Sequence, residues 1–221
     1  MGMLSVVLNV LEALAAVFAF LFWQRTKYSY WRSFPFYLMF IVAAELVGRY
    51  LEYKNFNTSN YALYNYLVIP VEFLFFFWIF HHAFNKSKYK SLPMWCGGIY
   101  MACWLVDVFY LGRHNFFFYS FSYTIGNLLL LVLILRFFFQ LVTGDAILRF
   151  RKDMMFWVSA GLLIYYLGSF PYYGLRNTIA YNYPELNIAY SYVVYLLNCL
   201  MYLMFILSFV WGRPNTGSSS F

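Results

Sequence analysis

Charged side chains are scarce in this sequence. Of 221 residues, 15 are Lys or Arg and 8 are Asp or Glu, 10% in all, too few to coat a water-soluble domain. Cysteine is scarcer still. Cys96, Cys103 and Cys199 are too few for a disulfide framework, and each falls in an apolar stretch where it reads as a small packing residue. There are only three histidines: His81 and His82 belong to one end of a span and His114 to the other, so they cannot share a metal ion. No polar stretch exceeds about 15 residues, which excludes an appended kinase, nucleotidase or nucleic-acid-binding module.

What is present instead is apolar and aromatic. The chain is 64% hydrophobic and holds 27 Phe, 23 Tyr and 7 Trp. Runs such as Phe73–Phe80 and Leu128–Phe139 indicate an all-α polytopic membrane protein. At about 20 residues per crossing, seven spans are expected, over 3–23, 34–52, 61–80, 93–111, 118–141, 154–173 and 187–210. They make one transmembrane domain over 1–212, with 213–221 as a disordered tail. Pro35, Pro93 and Pro184 are placed to open helices, Pro171 to close the sixth, and Pro70 lies well inside the third. The first span carries Asn9 and Glu12 with nothing basic before it, so it reads as a spanning helix rather than a cleaved leader.

The net charge of +7 is first a topology signal. Arg25, Lys27, Arg32, Lys86, Lys88, Lys90, Arg136, Arg149, Arg151, Lys152 and Arg213 fall on one side, and Arg49, Lys54, Arg113 and Arg176 on the other. By the positive-inside rule the N-terminus is outside and the C-terminus cytoplasmic. On that orientation 15 tyrosines lie toward the outer face, four toward the cytoplasm and four near mid-depth, whereas Phe75–Phe77 and Phe137–Phe139 plug the cytoplasmic half.

Ionisable groups at mid-helix cost about 2.5–3.5 kcal/mol each on insertion scales, so they are expected to face the bundle interior. Residues at i, i+4, i+7 and i+11 share a helix face, and every span has one polar stripe. The candidate pocket drawn from these stripes comprises Glu12, Glu45, Arg49, Asn65, Glu72, Asp107, Asn127, Tyr166, Ser169, Tyr195 and Asn198. It is acidic, walled with tyrosine and weighted toward the outer side. The alternative to a pocket is that these groups bond between helices and fix their register, with Glu45 pairing with Arg49 one turn away. Pro70 is expected to free a backbone carbonyl near Asn65 and Glu72.

Absences narrow the functional classes further. A retinal Schiff base needs a lysine inside the last helix, and every lysine here lies in a loop or at a helix end. Seven-span metal hydrolases of the ceramidase-like and adiponectin-receptor-like kinds need clustered His and acidic ligands. An intramembrane serine protease needs a His or Lys base within the bilayer. Paired carboxyl groups such as Glu45 and Asp107 remain as an acid–base option for lipid chemistry.

The first and last three spans echo each other: Asn9 with Asn127, Gly48 with Gly168, and Tyr64-x-Tyr66 plus Glu72 with Tyr190-x-Tyr192 plus Asn198. This suggests a three-plus-one-plus-three parallel repeat, which with the seven spans and outside N-terminus resembles the SWEET and PQ-loop carriers. That resemblance implies transport of a small solute. Asn65-x6-Glu72-Phe73 and Phe156-Trp157-x-Ser159-x-Gly161-x6-Gly168-x2-Pro171 resemble patterns in small seven-helix bacterial inner-membrane proteins of no established activity. This second resemblance implies the compartment alone.

The leading expectation is a non-enzymatic, ligand-responsive or partner-binding module of the bacterial inner membrane. A SWEET-like carrier is the alternative, and an intramembrane lipid-modifying enzyme the third. The expected partners are the lipid bilayer, a small molecule from the outer side, and a cytoplasmic or membrane protein contacting the Lys86–Lys90 and Arg149–Lys152 loops. No cofactor, metal or nucleic acid is expected.

Overall fold

The computed structural model describes residues 2–27, 29–85, 87–111, 118–143 and 150–214. Within them the chain is all-α. There is no β-strand among the described residues, only an isolated bridge between Asp153 and Arg213. Seven helices are long and apolar enough to cross a membrane, so this is a multi-pass membrane protein. They are α1 (Gly2–Leu21), α2 (Phe34–Tyr53), α3 (Asn57–Ala83), α4 (Leu92–Val106, running on as a π-helical turn Asp107–Leu111), α5 (Ser120–Thr143), α6 (Met154–Gly174) and α7 (Pro184–Trp211).

Local chemistry explains most of the boundaries. Pro35, Pro93 and Pro184 lie in the first turns of α2, α4 and α7, where a fixed φ suits the helix and no N–H is needed. Asp153 starts α6: its backbone is extended and its carboxylate accepts the Met155 N–H at 2.9 Å. Pro171 does not close α6 as expected. It sits inside the helix, which continues to Gly174. Arg213, placed in the expected tail, is paired: its N–H donates to the Lys152 carbonyl at 2.7 Å and its own carbonyl accepts from Met154. Residues 215–221 of that tail, and Lys86, His114 and Arg149, lie outside the described residues.

Consecutive helices pack around the bundle. α1 lies against α2 and α7, α4 between α3 and α5, and α6 between α5 and α7. The α6–α7 interface is the most extensive. Gly161 permits it, since a Cβ there would stand 2.9 Å from the Met204 Cβ and 3.1 Å from the Met201 carbonyl oxygen. The echoed glycines also occupy matching places: Gly48 of α2 faces Tyr64 of α3, and Gly168 of α6 faces Leu197 of α7.

α3 is the hub. Its Phe75 stacks on Tyr37 of α2 at 4.1 Å, and Phe76 reaches Phe205 of α7 at 6.3 Å. Phe73 meets Tyr100 of α4, Tyr123 of α5 and Tyr166 of α6 at 4.8, 5.4 and 5.6 Å. Below this level, toward the end where α2, α4 and α6 begin, Phe34 packs on Phe75, Phe205 and Phe209. The expected aromatic plug is therefore present, but its members differ in part. Phe76 and Phe77 are buried as expected, whereas Phe139 is exposed and Phe34, Phe205 and Phe209 take the interior.

Candidate functional site

Above the aromatic plug, three carboxyl groups from three helices come within electrostatic reach of one another. Glu12 of α1, Glu45 of α2 and Glu72 of α3 share this region with the Arg49 guanidinium. Each carboxyl meets a phenol. The Tyr64 hydroxyl donates to Glu45 Oε1 at 2.6 Å, the Tyr166 hydroxyl donates to Glu72 Oε1 at 2.8 Å, and the Tyr202 phenol lies beside Glu12. Arg49 lies within electrostatic reach of Glu45 one turn away, and its Nη2 donates to the backbone carbonyl of Ser5 at 3.0 Å, tying α2 to α1. A guanidinium that reaches a carbonyl on the adjacent helix locks two helices together, which a bond within one helix would not do.

Exposure separates these groups. Glu12 is buried and Tyr166 fully so, while Glu45, Arg49 and Tyr64 are half-buried. Glu72 is half-buried on α3.

Several other expected site residues serve as brackets between helices. The α3 helix is π-helical over Tyr64–Val68, immediately before Pro70, and the Ile69 N–H donates to the Tyr64 carbonyl five residues back. That wider turn releases the Asn65 carbonyl, which accepts the Trp104 indole N–H from α4 at 3.0 Å. The Asn65 side-chain oxygen accepts the Tyr119 N–H at 3.3 Å, so one residue holds α3, α4 and the start of α5. Asp107 accepts the Ser122 N–H at 2.6 Å, and Asn127 donates to the Tyr166 carbonyl at 3.1 Å. Trp104→Phe keeps an aromatic side chain but removes the indole donor together with one ring of the bicycle. It is expected to cost about 1–2 kcal/mol, one hydrogen bond plus some lost packing, read as a lowered midpoint in thermal unfolding of the detergent-solubilised protein.

The remaining expected residues belong to α6 and α7. Ser169 is fully buried, its hydroxyl beside the Tyr123 phenol. Tyr195 is half-buried within electrostatic reach of Glu45 and Arg176, and Asn198 is half-buried on α7. Glu45 and Asp107, the pair considered for acid–base chemistry, hold separate partners, Tyr64 and the α5 N-terminus.

The site also contains tyrosines beyond the expected set: Tyr37, Tyr64, Tyr123, Tyr165 and Tyr202 all lie within electrostatic reach of its carboxyls. Tyr202 was legible as the next turn after Asn198 on the same stripe, and Tyr64 from the repeated Tyr-x-Tyr. Tyr37 carried no such signal, because it reaches the cluster from the Phe-rich half.

Among the described residues no group of His, Cys, Asp and Glu is placed to hold a metal ion. His81 and His82 bind backbone carbonyls, those of Lys90 at 2.8 Å and Trp78 at 2.9 Å. No family model, curated protein or solved structure matches this chain.

Proposed function

We propose that this protein is a bacterial inner-membrane receptor-like module that binds a small organic cation beside Glu72, in a site entered from the end where the N-terminus lies. It responds to the ligand without transforming it. The observation that carries this reading is the charge imbalance of the cluster. Three carboxyls lie around the Arg49 guanidinium, and that guanidinium is already bonded to the Ser5 carbonyl. A carboxylate offers about four acceptor positions, and Glu45 and Glu72 each accept one phenol. An ammonium group supplies the missing positive charge, and the surrounding Tyr rings favour it through their π faces. The charge split of the loops supports an outer position for this site.

Closure by aromatic rings at the opposite end favours a site reached from one side over a carrier. The matching places of Gly48 and Gly168 are what favour the carrier alternative. Both readings are tested by titrating the protein in nanodiscs with butylammonium and choline, followed by calorimetry. Saturable binding is expected, weakened about tenfold, or about 1.4 kcal/mol, in Glu72→Gln. No saturable binding to wild-type protein, or unchanged affinity in Glu72→Gln, overturns the proposal. Ammonium uptake into sealed proteoliposomes favours the carrier.

A further inference from the structure

At the end of the bundle opposite the carboxyl cluster, the α3–α4 turn and the last turns of α5 assemble a second polar feature. Arg136 lies about two turns before α5 ends at Thr143. Its guanidinium stacks on the Tyr89 ring, 3.9 Å from the centroid, and lies 5.1 Å from that of Phe139. Its Nε is buried and has no hydrogen-bond partner among the described residues. The Lys88 ammonium lies 5.2 Å from the same Tyr89 ring. Both Lys88 and Lys90 are exposed.

The turn that carries these lysines is fastened in place. Gln140 Nε2 donates to Ser87 Oγ at 2.7 Å, and the Lys90 carbonyl is bonded to the His81 ring at 2.8 Å. Lys88 and Arg136 therefore meet on one ring, in a turn tied to both α3 and α5. None of the three cations forms an ion pair among the described residues. Glu12, Glu45 and Glu72 belong to the other half of the bundle, and Asp153 is bonded to the Met155 N–H.

Arg136 as a whole is half-buried, and its guanidinium has no ion-pair partner among the described residues. Near the end of a spanning helix the surroundings are lipid headgroups, which offer an acceptor to the part of the guanidinium that is not shielded. A phosphate oxygen suits it: guanidinium and phosphate form short, charge-assisted hydrogen bonds, and the two ammonium groups of the turn complete the neutralisation.

We propose that Arg136 and Lys88, gathered around the Tyr89 ring, together with the exposed Lys90 of the same turn, bind the phosphate of an anionic phospholipid at the seam between the α3–α4 turn and α5. The test is native mass spectrometry of the detergent-purified protein titrated with phosphatidylglycerol, with phosphatidylcholine, and with phosphatidylglycerol in the presence of inorganic phosphate. The expected result is about tenfold preference for phosphatidylglycerol, lost in Arg136→Gln and largely kept in Arg136→Lys. Lys88→Gln combined with Lys90→Gln changes exposed residues alone and is expected to weaken phosphatidylglycerol binding several-fold with an unchanged unfolding midpoint. This pair tests the site even where Arg136→Gln fails to fold. Equal binding of the two lipids, or phosphatidylglycerol affinity unaltered in the double variant, overturns the proposal. Displacement of phosphatidylglycerol by equimolar inorganic phosphate overturns the lipid assignment in favour of a free-phosphate site.

Discussion

Gly161→Val is expected to destabilise the protein by about 3 kcal/mol, at the upper end of the usual cost of overpacking. In lipid or detergent the apolar surroundings give helices no hydrophobic reason to associate, so α6 and α7 are held by close van der Waals contact. A Cβ at position 161 would stand 2.9 Å from the Met204 Cβ and 3.1 Å from the Met201 carbonyl oxygen. Neither atom can swing aside, because one is backbone and the other is fixed to it. The helices must separate, and the loss falls on the most extensive interface in the bundle. Gly98→Val on α4 is the matched control, since a Cβ there meets nothing within 4 Å. It is expected to change stability by no more than about 0.5 kcal/mol. Cys96 and Cys199 are buried and free, so labelling by a thiol-reactive dye during thermal unfolding reads both variants. Similar midpoints for the two would overturn this account of the interface.

The helices were legible because the signals for them are local. Apolar runs of the right length mark the spans, and three first-turn prolines mark starts. Pro171 misled for a physical reason. The α6 helix accommodates a proline near its end, and no local feature of the sequence says whether a helix stops before a proline or continues past it. Arg213 was unreadable because its backbone pairing with residues 152–154 joins segments some sixty positions apart. The close approach at Gly161 was equally hidden: the glycine is visible, but the Met201 carbonyl that it faces is not.

In the site, the inward stripes of Glu12, Glu45 and Glu72 followed from helical spacing, but their bonding did not. Spacing within one helix put Glu45 beside Arg49. The structure adds Tyr64 to Glu45 and Ser5 to Arg49, both across helix interfaces. Spacing also grouped Asn65 with Glu72 as equals on one stripe. The π-helical turn before Pro70 changes the register between them. It sends the Asn65 carbonyl to Trp104 while Glu72 faces Tyr166. A proline in the sequence signals that a carbonyl is released, but the residue that collects it belongs to another helix.

Asp107 shows how an expected pocket residue can have a structural task with a large effect. It lies in the π-helical turn that ends α4, and its carboxylate accepts the N–H of Ser122 in the first turn of α5 at 2.6 Å. The first N–H groups of a helix have no partner within it, and in a membrane each unmet donor is costly. Asp107 is 2% exposed, so water does not substitute for it. The carboxylate also places negative charge at the positive end of the α5 dipole. Asp107→Ala is therefore expected to lose about 2–3 kcal/mol, the penalty of a buried donor left without an acceptor. Asp107→Asn retains a side-chain oxygen of similar reach and is expected to lose about 1 kcal/mol, chiefly the charge–dipole part. Reversible unfolding in mixed micelles compares the two. If alanine and asparagine are equally costly, the hydrogen bond is not what Asp107 contributes and its charge is. If both are neutral, α5 does not depend on a cap from α4, and Asp107 becomes available for the site.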